Sequence, residues 1–285
     1  MIDDLLHACD ALDAPRFWSL AQANGTPPSK LLAEFLSANW SDVDLLRQCV
    51  AYGDVKQAEV IWNRIMGASA TIGATHITEA CSLVAIACRN HDRQGMQPAM
   101  AALERSFKAL HHYRHRLEPE APTLAPAVRQ EASACHGLRF LVVEDHPFQA
   151  RLLKLLLRRL GADSVETAED GASALHAVAS RPAFDIAMVD MSLPGMGGME
   201  VLRSFSILAQ APAVIISSAL ATSALASAIQ TARRLPIDFL GAVGKPFSAS
   251  SLESLLTGYR TVRVQGASGR IRPLPEGVLQ ALRPG

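Results

Sequence analysis

The chain has 285 residues, of which 49% are hydrophobic and 19% charged, so it carries too much apolar material for a wholly disordered protein and has length for about two domains. Its 27 basic and 27 acidic residues cancel, which removes a global basic field as a reason to expect nucleic acid or an anionic membrane as partner. The five cysteines Cys9, Cys49, Cys81, Cys88 and Cys135 include no CxxC pair, no apolar run reaches the ~18–20 residues of a spanning helix, and the start MIDDLLHACD is acidic; the reading is a soluble cytoplasmic protein.

Residues 1–117 are helical in pattern, with a bundle core over about 40–116. Apolar residues recur at three- and four-residue spacing through 42–51, 55–72, 76–90 and 96–116, as in Ala58, Ile61, Ile65, Ala68 and Ile72. Gly53-Asp54, Gly73 and Gly95 punctuate the segments, which predicts short connections between antiparallel helices. The Pro/Ala-rich stretch 118–137, with Pro119, Pro122 and Pro126, predicts a semi-extended linker.

From 138 to 260 the pattern changes. Short β-branched runs at 138–145, 184–191 and 213–219 alternate with helical stretches such as 147–160 and 171–180. In the first of these, Leu152, Leu153, Leu156, Leu157 and Leu160 form one apolar stripe. Continuous apolar strands between amphipathic helices predict a parallel sheet covered on both faces, with all strands ending at one edge. Residues 261–285 are basic, contain Gly and Pro, and are predicted to be a flexible tail.

That edge collects chemistry. Glu144 and Asp145 end the first strand, Asp190 a later one and Ser217 the next, while Lys245 precedes Pro246. Each acid alone fits a helix N-cap or a loop equally well; the ordered set does not. Three close carboxylates repel unless a cation neutralises them, and oxygen ligands with room for water suit Mg²⁺.

The motifs LVVEDHPFQ, AMVDMSLPGMGG, VIISSA and GKPF, in this order, resemble the response-regulator receiver domain, a flavodoxin-like doubly wound fold with a parallel five-stranded sheet. The resemblance implies that Asp190 is the phosphoacceptor. It implies that Mg²⁺ is held by Glu144, Asp145, Asp190 and the backbone carbonyl of Ser192, with Glu144 acting through water. Ser217 and Lys245 take the phosphoryl-binding positions, and Lys245-Pro246 matches a cis peptide of the family. Pro194, Gly195, Gly197 and Gly198 resemble the tight loop after the acceptor strand. One departure stands out: the family often has Tyr or Phe three residues before the lysine, and here that place holds Ala242. Phe239 is out of register with it and is expected in the core.

The helical region resembles a degenerate histidine phosphotransfer (HPt) domain through LLRQCVAYGD and VIWNRIMGASATIGA. Where that family carries His-x-Ile/Leu-Lys-Gly, this chain has Asn63, Arg64, Ile65, Met66 and Gly67. An amide has negligible basicity and cannot take up phosphate as imidazole does, and Met66 removes the ammonium. Gly67 and Ala70 are expected to leave a low shelf for a receiver. His76 and His91 lack the motif, His111, His112 and His115 lack a further ligand type, and Trp18, Trp40 and Trp62 are expected as core or interface anchors.

The implied function is a two-component phosphorelay protein, not an enzyme beyond its own phosphorylation and dephosphorylation. Its expected partners are a sensor histidine kinase, or a hybrid kinase or phosphotransfer protein, and another receiver on the HPt-like face; a homodimer is also open. The alternative is the regulatory portion of a cyclic-di-GMP phosphodiesterase-type regulator without its catalytic domain, since IDFLGAVGKPFS resembles receivers that precede such domains.

Overall fold

Helix caps organise the N-terminal part of the chain. Asp13 accepts from the Arg16 amide (3.1 Å) to open α1, Ala14–Asn24, which has Pro15 in its first turn. Helix α2, Pro28–Tyr52, begins well before the segment predicted at 42–51. Pro28 sits at the helix start, where no N–H is needed, and Leu31, Leu32, Phe35, Asn39, Asp42, Val43, Leu46 and Cys49 then form one uninterrupted buried stripe. Asp54 caps α3, Val55–Ile72, and Gly73 ends it at φ +77°, where an added Cβ would also press on Asp13. Helix α4 spans Thr75–Arg89 and α5 Arg93–Arg114. Gly95 is not the punctuation before α5 but lies in its first turn. Asp92 starts the helix instead, accepting from the Gln94 and Gly95 amides at 3.1 and 2.9 Å.

The structure is a computed structural model that describes residues 12–115, 117, 135–180, 184–218, 222–245, 247 and 249–265. It divides into two compact units, Met1–Arg129 with His146–Leu155, and Gln130–Asp145 with Leu156–Gly285. The core of the first unit contains Phe17, Leu32, Phe35, Leu46, Ile61, Trp62, Ile65, Leu103 and Phe107, and also Phe148 and Leu152. Phe35 stacks on Phe107 with ring centroids 6.0 Å apart and meets Phe148 edge-on at 5.6 Å. Trp62 is buried in this core, whereas Trp18 and Trp40 stay 40% and 46% exposed. No described helix is long and apolar enough to cross a membrane.

The second unit is built on a parallel sheet of β1 (Arg139–Val143), β2 (Ser164–Ala168), β3 (Ile186–Asp190), β4 (Ala213–Ser218) and β5 (Phe239–Gly244), in the order β2-β1-β3-β4-β5. The connecting helices are α6 (Pro147–Arg159), α7 (Gly171–Ser180), α8 (Gly198–Ser206) and α9 (Thr222–Ala232), and α10 (Ala249–Gln265) follows the last strand. The chain thus combines a helical N-terminal region with the five-stranded doubly wound sheet expected from its sequence. Strands β3 and β4 are buried throughout, and the two outer strands only in part. Leu141, Val143, Val189, Val214 and Ile216 pack with Val201, Leu202 and Phe205 of α8 on one face. Phe140, Val142, Met188 and Ile215, of the opposite parity, are equally buried, as a sheet covered on both sides requires. Helix α10 runs to Gln265, five residues into the predicted tail; positions 118–134 of the linker and 266–285 of the tail lie outside the described residues.

Candidate functional site

A parallel sheet whose connections are all helical places its strand C-termini along one edge, and the sequence puts acids there. Glu144 follows β1, and its amide donates to the Ala168 carbonyl across the β1–β2 pair (3.0 Å). Asp190 closes β3 and is the register partner of Ser217 on β4, whose own partner on β5 is Val243. Two residues past Val243 comes Lys245, its amide held by the Ser218 carbonyl at 2.9 Å. Topology therefore brings together residues up to 101 positions apart.

The resulting cluster is tight and mostly buried. Glu144 is 3% exposed and Asp190 4%, while Asp145 is half-buried. One carboxylate oxygen from each of Glu144, Asp145 and Asp190 lies within 4.8 Å of the others, the one such acid, His or Cys group of three among the described residues. The Lys245 ammonium donates to Glu144 Oε2 at 2.6 Å and to Asp190 Oδ2 at 2.7 Å. Asp190 Oδ1 accepts from the Ser192 amide at 3.1 Å, a donor that sequence reasoning missed because backbone groups leave no compositional signal. Glu144 Oε1 is buried with no hydrogen-bond partner among the described residues. Burial pushes the Glu144 carboxyl up to about 8; Lys245 opposes this and the charges of Asp190 and Asp145 add to it. Burial alone would lower Lys245, but the charges of Glu144 and Asp190 prevail and hold it above its ordinary range.

Lys245 thus bonds two of the three acids. An orphaned buried carboxylate oxygen beside two more carboxylates is a donor set that fits a hard, oxygen-seeking cation such as Mg²⁺. Gly198, at the start of α8, keeps the loop after β3 closed down: a Cβ there would run into the carbonyl oxygen of Asp190 itself. Ser217 is buried at the end of β4, its carbonyl accepting from the Met191 amide (3.2 Å). Ala242 is buried and Phe239 is half-buried against the sheet core, so no ring stands three residues before the lysine. Pro246 lies outside the described residues.

An acidic cluster at the carboxyl edge of an open, doubly wound sheet marks an α/β protein with its candidate site at the strand ends. Residues 140–257 match the response regulator receiver domain, and this part of the chain is one. Similar proteins include the cyclic di-GMP phosphodiesterase RocR of Pseudomonas aeruginosa, 35% identical over 128 residues, which are 45% of this chain and 33% of RocR. The chemotaxis protein CheY-3 of Vibrio cholerae is 29% identical over 44% of this chain and 94% of its own length. Among solved structures, the response regulator TrrA of Thermotoga maritima in complex with Mg(2+)-BeF is 26% identical over 42% of this chain and 96% of that one, at a TM-score of 0.36. The chain thus spans a third of RocR and nearly all of CheY-3.

The HPt-like positions all fall on α3. Asn63, Met66 and Ala70 are half-buried and Gly67 is buried. Helix α3 lies between α2 and α4, with α1 also against it, and its small residues allow that close packing. Arg64 turns instead to Asp42, donating from Nε at 2.8 Å and again from its terminal nitrogen.

Proposed function

We propose that this protein is a phosphorelay response regulator in which Asp190 accepts a phosphoryl group from a sensor histidine kinase, a hybrid kinase or a phosphotransfer protein, and which acts through protein–protein contacts. The observation that carries the reading is Asp190 buried between a lysine and two further acids, with one acid oxygen lacking a partner. Mg²⁺ would be held by Glu144, Asp145, Asp190 and the carbonyl of Ser192. When bound, it supplies positive charge against the transferred group. An Asp190 oxygen attacks phosphorus, the bond from phosphorus to the donor's nitrogen or oxygen breaks, and an acyl phosphate forms on Asp190. Lys245, already donating to Asp190, is placed to bond a phosphoryl oxygen, and the Ser217 hydroxyl is the second donor.

The N-terminal helices serve as a docking module that carries no phosphate, since Asn63 and Met66 offer neither imidazole nor ammonium. Similarity to part of RocR supports a second reading, the regulatory portion of a cyclic-di-GMP phosphodiesterase-type regulator; the 285 residues themselves would then turn over no cyclic di-GMP.

Incubation with acetyl phosphate and Mg²⁺, followed by intact-mass measurement, tests the main reading. One phosphoryl adduct is expected, absent with EDTA and absent in Asp190→Asn. An adduct that survives Asp190→Asn overturns both the acceptor assignment and the silence of the helical module.

A further inference from the structure

The residue after Asp145 belongs to the helical unit. His146 is fully buried, and its Nε2 lies 3.1 Å from Asn39 Oδ1 on α2. The Asn39 amide nitrogen is already spent on the Phe35 carbonyl (2.8 Å), so Oδ1 is the acceptor and His146 Nε2 carries the donated proton. Asp42, one turn along α2, places Oδ2 4.0 Å from the same Nε2 and is itself held by Arg64. Two further contacts fix the same stretch. Phe148 meets Phe35 edge-on at 5.6 Å and the His146 ring at 6.4 Å, and Arg151 pairs with Glu34.

A buried polar pair of this kind has few alternative arrangements, because leaving it strands a desolvated donor or acceptor. The peptide carrying His146 also carries Asp145, and the Asp145 carboxylate is one of three that must converge within 4.8 Å. We infer that Asn39 is a positioning residue for the acidic site: through His146 it fixes where the chain leaves Asp145, so the helical unit and the occupancy of the site are coupled. This rests on the reading of Glu144, Asp145 and Asp190 as the Mg²⁺ and phosphoryl site. The coupling is reciprocal, since a helical side chain that alters ligand affinity must feel the ligand in return.

Calorimetric titration of the full chain with Mg²⁺, without a phosphodonor, is the test. Asn39→Ala is expected to weaken Mg²⁺ binding at least threefold. Ile61→Val, which destabilises the same core without touching the polar pair, is expected to leave it unchanged. Equal affinity in wild type and Asn39→Ala, or equal weakening in both variants, overturns the inference and leaves the site reading standing. A wild type that shows no Mg²⁺ binding dependent on Asp190 overturns both. Hydrogen exchange of the wild type covers the case in which Asn39→Ala fails to fold. Mg²⁺ with beryllofluoride is expected to change exchange of amides in 35–46, and an unchanged pattern there overturns the coupling.

Discussion

Two clusters of buried charge stand out among the described residues, and they differ in how their charge is balanced. At the strand ends, Lys245 serves Glu144 and Asp190 with Asp145 alongside, leaving one carboxylate oxygen of Glu144 without a partner. In the helical unit, Arg64 meets Asp42 through two donors, with the Asn39–His146 hydrogen bond beside it. The first cluster keeps a buried carboxylate oxygen with no donor among the described residues, which suits a site that takes up ligand. The second is closed, which suits a structural tie. The difference teaches that burial of charge alone does not mark a site; the unmet balance does.

Lys245→Met breaks the comparison most severely. It leaves Glu144 and Asp190 buried without their cation, and loss of one partner from such a pair costs about 3–5 kcal/mol. Urea unfolding in EDTA measures it. Added Mg²⁺ is expected to restore part of the loss, because an ion at the three acids replaces the missing charge.

Arg64→Met is the counterpart in the helical unit. Its guanidinium is 23% exposed and Asp42 8%, so water screens the broken pair more and the loss is about 2 kcal/mol. Its deficit relative to wild type is expected to be the same with and without Mg²⁺. Recovery of Arg64→Met by Mg²⁺ to the same degree as Lys245→Met would erase the distinction between an open and a closed cluster.

The two clusters were also unequally legible in the sequence. Glu144, Asp145, Asp190, Ser217 and Lys245 follow short apolar runs, and a parallel sheet with helical crossovers sends all such positions to one edge whatever their separation. The Lys245–Glu144 contact spans 101 residues, yet follows from that one topological rule. No comparable rule pairs Asn39 with His146, 107 residues apart, because packing of helices depends on side-chain shape rather than on a fixed register. The same limit applies to Gly67: spacing identifies small residues on α3, but not how far each is buried. Helix ends erred for a local reason. Asp92 rather than Gly95 starts α5, and Pro28 allowed α2 to begin earlier than its most regular stretch suggested.

Glu144→Gln gives the sharpest test of why the strand-end cluster differs. Burial raises the Glu144 carboxyl from an ordinary 4.5 to about 8, so the folded protein holds that proton more tightly than the unfolded chain does. Stability from this group is therefore fully present below pH 4.5 and is lost as pH rises through about 8. Glutamine has no proton to lose. In EDTA, the unfolding free energy of Glu144→Gln relative to wild type should rise between pH 5 and pH 8, the direction set by the raised Glu144 carboxyl. Mg²⁺ favours the ionised carboxylate and should shrink the gap at pH 8. A gap that stays flat with pH would mean that Lys245 alone neutralises the acids, and the cluster would then be as closed as the one around Asp42.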